Sequence, residues 1–278
     1  MLYLERRPHP ALAPFIKSFW YACDPEATHR QERVLPNGHP QIVISLARDY
    51  LTDANHLTDP LQHTPAALLL GIYSHHQQID AIDLSELIGI LFHPGGTLPF
   101  FPENTELFTN CETDLAILWG RAAQNLRNDL RETQPPARKF DLLDFALSHR
   151  LSESKSQRRT PTLDYALTRL HQSPGTTTIA ALARDIGISP RRLSQLFREQ
   201  IGVSPKLYCR IQRFQQAVQL MHRGADIHWA ELALTCGYYD QSHFTNDFQA
   251  FSGLSPTHYS TANRPWANHV PLDAKAAN

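Results

Sequence analysis

The spacing of apolar residues changes along the chain. In the first part, short apolar runs alternate with turn residues: residues 35–40 form a turn-rich stretch before the β-branched run 42–46. Further apolar runs cover residues 67–73, 79–84 and 87–92, at the roughly ten-residue spacing that is typical of antiparallel sheets and small barrels. The pattern predicts short antiparallel strands.

Two amphipathic helices are predicted to close this part of the chain, over residues 114–131 and 140–149. In the first, Leu115, Leu118, Ala122 and Leu126 fall close to one helical face. Residues 1–150 are therefore expected to form an α+β domain. The polar stretch 151–160, which ends in Thr-Pro, is the predicted interdomain linker.

Beyond the linker, apolar residues recur at three- and four-residue spacings, which predicts an all-α domain over residues 161–262 and a tail over 263–278. One sequence unit occurs twice within this domain. Gly202-Val-Ser-Pro recurs 51 residues later as Gly253-Leu-Ser-Pro, and Leu182-Ala183 recurs as Leu232-Ala233 at an offset of 50. The second copy therefore carries one extra residue in its turn.

Each copy is predicted to be a helix-turn-helix. In the first copy, Gly187 ends one helix, Ser189 caps the next and Pro190 occupies its first position. The residues expected to face inward in the second copy are Ile227, Ala230, Ala233, Leu234, Cys236, Phe244 and Phe248. A continuous helix over residues 205–222 is predicted between the copies. It would span about 27 Å, so the two motifs could enter successive major grooves of one duplex.

Composition adds a charge asymmetry. The formal net charge is −1, but residues 1–160 hold 15 Lys and Arg against 19 Asp and Glu (net −4), and residues 161–278 hold 11 against 8 (net +3). The basic half suggests a polyanionic partner. The four dispersed cysteines predict reduced thiols. No apolar run is long enough to span a membrane, and the start does not read as a signal peptide, so we expect a soluble, cytoplasmic protein.

Residues 162–260 closely resemble the tandem helix-turn-helix domain of the AraC/XylS family of bacterial transcriptional regulators. The resemblance is carried by IAALARDIGISPRRLSQLFREQIGVSPKLY and WAELALTCGYYDQSHFTNDFQAFSGLSPTHY. Through ALAPFIKSFWY, VLPNG and LFHPGG, the N-terminal half resembles an uncharacterised sensor-like domain found fused to such regulators. The resemblance implies binding of double-stranded DNA, contact with RNA polymerase and, in most members, activation of transcription.

Early residues of the second helix in each motif are expected to face DNA. In the first motif the outward set is Arg191, Arg192, Ser194, Gln195 and Arg198, and the family's base-reading positions map onto Arg191, Ser194 and Gln195. Arginine suits guanine and glutamine suits adenine in the major groove. The outward set of the second motif is Gln241, Ser242, Thr245 and Asn246. Asp247 is expected near the DNA-facing edge, where its charge would repel phosphates.

Other chemistry finds less support in the sequence. The histidines His39, His75, His76 and His93 lack the spacing of a metal site, and no catalytic residue or cofactor is predicted. The protein is interpreted as a sequence-specific transcriptional regulator whose N-terminal domain senses a small-molecule effector or forms a homodimer. Two alternatives stay open: an enzyme whose N-terminal domain is catalytic and whose DNA-binding half targets it, and a constitutive regulator without a ligand.

Overall fold

The computed structural model describes residues 2–26, 31–52, 63–80, 83, 85–154, 159–172, 178–223, 227–262 and 266–272. The chain folds into two compact units, and each unit is built from three separate segments of the sequence. The N-terminal unit comprises Met1–Gln31, His39–Gly71 and Gln78–Arg158, and the helical unit comprises Glu32–Gly38, Ile72–Gln77 and Arg159–Asn278. Two segments of the predicted N-terminal domain therefore belong to the helical unit. Residues 155–158 of the predicted linker lie outside the described residues.

The described strands are short, as the spacing of apolar runs predicts. They are β1 (Leu2–Arg6), β2 (Ile16–Cys23), β3 (Gln31–Val34), β4 (Gln41–Ser45), β5 (Tyr50–Thr52), β6 (His63–Pro65), β7 (Ala67–Leu70), β8 (Gln77–Asp80), β9 (Leu87–Phe92), β10 (Glu112–Asp114) and β11 (His269–Pro271). The predicted runs 42–46, 67–73 and 87–92 correspond to β4, β7 and β9, although β7 covers only the first four residues of its run. Of the run 79–84, β8 covers the start, and residues 81, 82 and 84 lie outside the described part of the chain.

An antiparallel sheet forms the body of the N-terminal unit. Its strand order is β1-β2-β9-β4-β7-β10, and β5 pairs separately with β6. One register pairs Ile42 with Ile90 and Ile44 with Ile88, and all four side chains are buried. Strand β2 was not predicted, because its buried face includes Ser18 and so breaks the apolar alternation.

Three helices follow the sheet along the chain: α1 (Leu115–Trp119), α2 (Arg121–Glu132) and α3 (Pro136–Glu153). The single helix predicted over residues 114–131 is wrong, because Gly120 has a φ of 58° and separates α1 from α2. Helix α3 also extends beyond its predicted end and includes the first residues of the predicted linker. Its buried Lys139 donates hydrogen bonds to the carbonyl oxygens of Leu130 (2.6 Å) and Thr133 (2.9 Å), which satisfies the end of α2.

The helical unit contains α4 (Pro161–Gln172), α5 (Ile179–Ile186), α6 (Pro190–Ile201), α7 (Pro205–His222), α8 (Trp229–Thr235), α9 (Gln241–Ser252) and α10 (Pro256–Thr261). Helices α5 and α6 form the first helix-turn-helix, α8 and α9 form the second, and α7 connects them, as predicted. The core between α7 and α9 is aromatic: the ring of Phe214 lies 5.2 Å from that of Phe248 and 5.1 Å from that of Phe251. This packing ties the second motif to the connecting helix.

The C-terminal tail contributes a strand that the sequence pattern did not predict. Strand β11 pairs antiparallel with β3, with His269 opposite Val34 and Pro271 opposite Glu32. Residues 263–265 and 273–278 of the predicted tail lie outside the described residues. Within the described ranges, every helix is too short or too polar to cross a lipid bilayer.

Candidate nucleic-acid interface

The first helix-turn-helix is shaped by capping interactions on both sides of its turn. Gly187 ends α5 in the left-handed conformation, with a φ of 80°, where a side chain would be strained. The backbone N–H of Ile188 then donates to the carbonyl oxygen of Ala183 at 3.0 Å. The hydroxyl of Ser189 accepts a hydrogen bond from the Arg192 N–H at 3.2 Å and caps α6. The start of α6 is therefore held in a defined direction.

The structure brings the predicted residues of the first motif to the surface of α6. The inward positions are occupied by Leu193, Leu196 and Phe197, all of which are buried. Of the predicted DNA-facing set, Ser194 is half-buried and the others are exposed, namely Arg191, Arg192, Gln195 and Arg198. The candidate interface of the first motif is thus one outward, basic helical surface.

Glu199 modifies this surface. Its Oε1 accepts a hydrogen bond from Gln195 Nε2 at 2.7 Å, and its Oε2 lies 3.9 Å from Arg192 Nη1. The carboxylate orients the Gln195 amide and offsets part of the Arg192 charge. Gln195 still has an amide oxygen and a second N–H for contact with a base edge.

The second motif repeats this construction with one inserted residue. The Tyr238 N–H donates to the Ala233 carbonyl oxygen at 2.9 Å, which matches the bond between Ile188 and Ala183 in the first copy. Tyr238 therefore corresponds to Ile188, and the extra residue is Tyr239, whose side chain is 86% exposed. Oδ1 of Asp240 accepts a hydrogen bond from the His243 N–H at 2.7 Å and caps α9. The inserted tyrosine thus lies beside the N-terminus of α9.

On α9 the predicted residues Gln241, Ser242 and Asn246 are exposed and Thr245 is half-buried. The sequence interpretation missed His243, although the offset of 51 aligns it with Arg192. The Tyr239 N–H donates to His243 Nδ1 at 3.4 Å, and the ring packs edge-on against Tyr238 with centroids 5.2 Å apart. Because Nδ1 accepts this bond, the neutral ring carries its proton on Nε2 and can donate it to an acceptor. Gln249, which aligns with Arg198, is also exposed.

Part of the predicted inward face of α8 is wrong. Ala230 is exposed and Leu234 is 64% exposed, whereas Trp229, Leu232 and Ala233 pack against the core of the helical unit. The inward side of α8 and its C-cap follows Trp229, Leu232, Ala233 and Cys236, spaced three, one and three residues apart as on one face of a helix. Cys236 is buried, as predicted.

The prediction for Asp247 is also wrong. Asp247 is 7% exposed and binds Arg210 of α7, whose Nε lies 3.0 Å from Oδ1. It occupies the position that the buried Leu196 holds in the first copy. Asp247 therefore joins α9 to α7 and does not present its charge to a ligand at the surface.

The two motifs differ in charge on their candidate surfaces. Residues 189–200 contain Arg191, Arg192 and Arg198 against Glu199, a net of +2, whereas residues 240–251 contain two aspartates and no lysine or arginine, a net of −2. Arg213 of α7 lies near the second motif, with its Cζ 5.2 Å from the centre of the Tyr238 ring. The first motif thus offers ionic contacts to a polyanion, and the second offers mainly hydrogen-bonding groups.

Within the described residues, no group of three or more His, Cys, Asp or Glu side chains is arranged to hold a metal ion. Each of the four cysteines is a free thiol, and Cys111 is exposed.

Two protein families match this chain, one in each half of the sequence. A family described as a helix-turn-helix domain matches residues 182–262, and a domain of unknown function (DUF6597) matches residues 4–114. The arabinose operon regulatory protein of Escherichia coli (strain K12) is 31% identical over 102 residues, which cover 37% of this chain and 35% of that protein. The HTH-type transcriptional activator RhaR of Yersinia pseudotuberculosis serotype O:1b (strain IP 31758) is 33% identical over 98 residues, which cover 35% of this chain and 33% of that protein. The match thus spans about one third of the length of these relatives.

Solved structures similar to this chain include the C-terminal domain of AraT, a response regulator from Geobacillus stearothermophilus. It is 24% identical with a TM-score of 0.36, over 37% of this chain and 87% of that one. ToxT from Vibrio cholerae is 11% identical with a TM-score of 0.42, over 93% of this chain and 96% of that one.

Proposed function

We propose that this chain, whose residues 182–262 carry a helix-turn-helix domain of the AraC type, is a sequence-specific DNA-binding transcriptional regulator. Helices α6 and α9 would enter successive major grooves, because the 18 residues of α7 between the motifs span about 27 Å. Arg191, Ser194 and Gln195 are the proposed base-reading residues of the first motif, and Arg192 and Arg198 would contact phosphates.

The observation that carries this proposal is the repeated construction of the two motifs. In each copy, a polar side chain caps the second helix, apolar residues at three- and four-residue spacings are buried, and polar residues of the first two turns are outward. The proposed contacts of the second motif are Gln241, Ser242, Thr245 and Asn246, together with His243, which its alignment with Arg192 adds.

The N-terminal unit is proposed to modulate this binding, either by taking up a small-molecule effector or by forming a homodimer. Contact with RNA polymerase and activation of transcription are part of the proposal, because the regulators that this chain matches include one named as a transcriptional activator. DNA as the partner also implies that the protein works in the cytoplasm, with no membrane partner.

An enzymatic role for the N-terminal unit is the rival hypothesis. A partly buried ionisable cluster of this unit contains Tyr21, Glu86 and Lys139. Tyr21 donates to Glu86 Oε1 at 3.0 Å, and Lys139 Nζ lies 3.8 Å from the same oxygen. Lys139 also donates to two carbonyl oxygens at the end of α2, which explains it as a helix-capping group. We therefore propose that the protein has no catalytic residue and needs no cofactor.

Selection from a random duplex library tests the proposed function. The full chain is incubated with duplexes that contain a randomised central region, and bound duplexes are amplified and sequenced. We expect enrichment of a sequence with two conserved blocks about one helical turn apart. The control is Arg121→Ala, which removes an exposed arginine of α2 in the N-terminal unit and should enrich the same sequence. Recovery of unenriched random sequence by the native chain would contradict the proposal.

A further inference from the structure

The core of the helical unit contains residues from the N-terminal half of the sequence. The segments Glu32–Gly38 and Ile72–Gln77 belong to this unit, and their apolar side chains Leu35 and Ile72 are 1% and 2% exposed in the same cluster as the helices. We name these two segments the clasp. The chain thus leaves the N-terminal unit twice, contributes to the helical core, and returns.

The first segment of the clasp is joined to the C-terminal tail. Glu32 Oε2 lies 2.7 Å from His269 Nδ1, and the Leu35 N–H donates to the Asn268 carbonyl oxygen at 2.8 Å. These contacts accompany the antiparallel pairing of β3 with β11. The tail therefore holds the first segment along the helical unit.

The first segment also contacts α7 directly. Gln215 Nε2 donates to the carbonyl oxygen of Pro36 and to Asn268 Oδ1, both at 2.8 Å. At Gly38, a Cβ atom would lie 2.9 Å from Gln212 Nε2, so the turn approaches the helix as closely as a glycine allows. Gln215 thus fastens α7 to the clasp and the tail with a single amide group.

Both segments of the clasp meet at the C-terminal end of α9. Arg33 Nη1 donates to the carbonyl oxygen of Gly253 at 3.3 Å. Gly253 ends α9 with a φ of 68°, and a Cβ atom there would lie 2.6 Å from Cε1 of His76. The end of the second recognition helix is therefore enclosed by side chains from both segments.

We propose that the clasp is the route by which the N-terminal half controls DNA binding, and that it acts on the second helix-turn-helix. Its contacts fall on α7 and on the end of α9, which are joined through Phe214, Phe248 and Phe251. A rearrangement of either segment changes the packing of α7 against α9 and hence the position of α9 relative to α6. This inference rests on the proposed function and specifies its regulation.

The physical basis is the weakness of the second motif in ionic contacts. With no lysine or arginine in residues 240–251, α9 gains little from phosphate neutralisation, so its binding depends on arriving in the groove already oriented. The first motif has a net charge of +2 over residues 189–200, so it should lose less affinity for DNA when its recognition helix is slightly misplaced in the groove. Substitutions that remove contacts of the clasp should thus selectively weaken binding at the second half-site.

DNase footprinting of the full chain tests the clasp. The probe is the duplex selected by the native chain from a random library, and the variants are Gln215→Ala and His76→Ala. The control, Gln219→Ala, alters an exposed glutamine one turn further along α7. We expect protection of the second half-site to require about tenfold more protein in both clasp variants, because each loses part-buried hydrogen bonds or packing. Protection of the first half-site should change by less than about twofold. Equal weakening of both half-sites, or no change at either, would overturn the inference.

Hydrogen exchange without DNA separates this inference from the proposed function. We expect the amides of α9 (Gln241–Ser252) to exchange faster in Gln215→Ala and His76→Ala than in Gln219→Ala, while those of α6 (Pro190–Ile201) stay unchanged. Unchanged hydrogen exchange in α9 would overturn the inference about the clasp even if DNA binding is demonstrated. Faster exchange in α9, in a chain that selects no DNA sequence, would support the coupling of the clasp to α9 but contradict both the proposed function and the control of DNA binding by the clasp.

Discussion

Arg210 of α7 binds Asp247 of α9 through both carboxylate oxygens, with Nε 3.0 Å from Oδ1 and 3.4 Å from Oδ2. The guanidinium also lies over the Phe251 ring, with Cζ 5.0 Å from the ring centre. Asp247 is almost completely buried, whereas Arg210 keeps about a third of its side chain in solvent. This ion pair fixes the rotation of α9 about its own axis, because it adds a directional contact to the aromatic packing between the two helices.

Asp247→Ala should therefore destabilise the protein and should not tighten DNA binding. Removal of the carboxylate leaves the Arg210 guanidinium without its buried partner, and we expect the free energy of unfolding to fall by about 1–3 kcal/mol. Urea unfolding followed by circular dichroism measures this change. The matched control is Asp164→Ala, which breaks the ion pair with Arg159 at a half-exposed carboxylate and should cost less than about 1 kcal/mol. Tighter binding with unchanged stability would restore the interpretation of Asp247 as a charge that faces phosphates.

Arg191→Ala should weaken binding to the selected duplex by about 1–3 kcal/mol and relax the choice of base at one position. The reason is that Arg191 lies exposed in the first turn of α6, where a guanidinium can reach a guanine edge. Binding is measured on the selected duplex, on its single-base variants and on random DNA. Equal losses on selected and random duplexes would mean that Arg191 contacts phosphate and no base.

The first motif should contribute more to binding than the second. Alanine substitutions at Arg191 and Gln195 are expected to cost more than those at Gln241 and Asn246. The phosphate contacts proposed for Arg192 and Arg198 would hold α6 firmly in its groove, so that its base contacts form more completely than those of α9. Footprints should show one strongly protected half-site and a weaker one about one helical turn away. Equal protection of the two half-sites across a salt titration would contradict this order.

His76 should make stability depend on pH below neutrality. Burial lowers the pKa of His76 below its usual value of 6.5, and the charges of Arg33 and His75 add to the effect, although a backbone hydrogen bond to Phe251 opposes it. Below pH 6.5 the unfolded chain therefore binds more protons at this position than the folded chain, so stability falls as the pH drops toward the folded pKa. In the His76→Gln variant this contribution is absent.

Urea unfolding at pH 7.5 and pH 5.5 measures the contribution of His76 to the pH dependence of stability. We expect the native chain to lose more stability between the two values than His76→Gln does, whereas His228→Gln, at an exposed histidine, should behave as the native chain. An identical loss in all three proteins would show that protonation of His76 is not linked to folding.

Local sequence signals were sufficient for the elements that local interactions determine. The glycine turn at Gly187, the Ser189 cap and the proline at position 190 set the first helix-turn-helix with no distant partner, and the structure has each of them in its expected role. Gly120 carries a local signal of the same kind, but the apolar spacing continues through it and so predicts one uninterrupted helix. The order of strands in the sheet depends on pairings between distant segments, which periodicity does not encode.

The errors on the second motif have the same physical origin. Its position directly before the inward-facing Phe248 predicts Asp247 near the DNA-facing edge, and its burial is explained by Arg210, 37 residues earlier in the chain. The apolar character of Leu234 predicts an inward position, but the face of α8 that packs inward carries Trp229, Leu232 and Ala233, and Leu234 is 64% exposed. For the candidate site, the repeat located the exposed polar residues of α6 and three of the five on α9, namely Gln241, Ser242 and Asn246. It also contained the signal for His243, through the alignment with Arg192.

Leu35 and Ile72 limit how this protein can be recombined with its relatives. A chimera that joins a foreign N-terminal half to residues 159–278 would leave two vacant positions in the helical core, and truncation of a buried leucine or isoleucine costs about 2–5 kcal/mol at each. Exchange of sensory modules at the linker therefore demands that the incoming module bring its own equivalents of both segments. Shuffling of the two halves, in the laboratory or in evolution, is expected to preserve function only between chains whose clasp and helical core match.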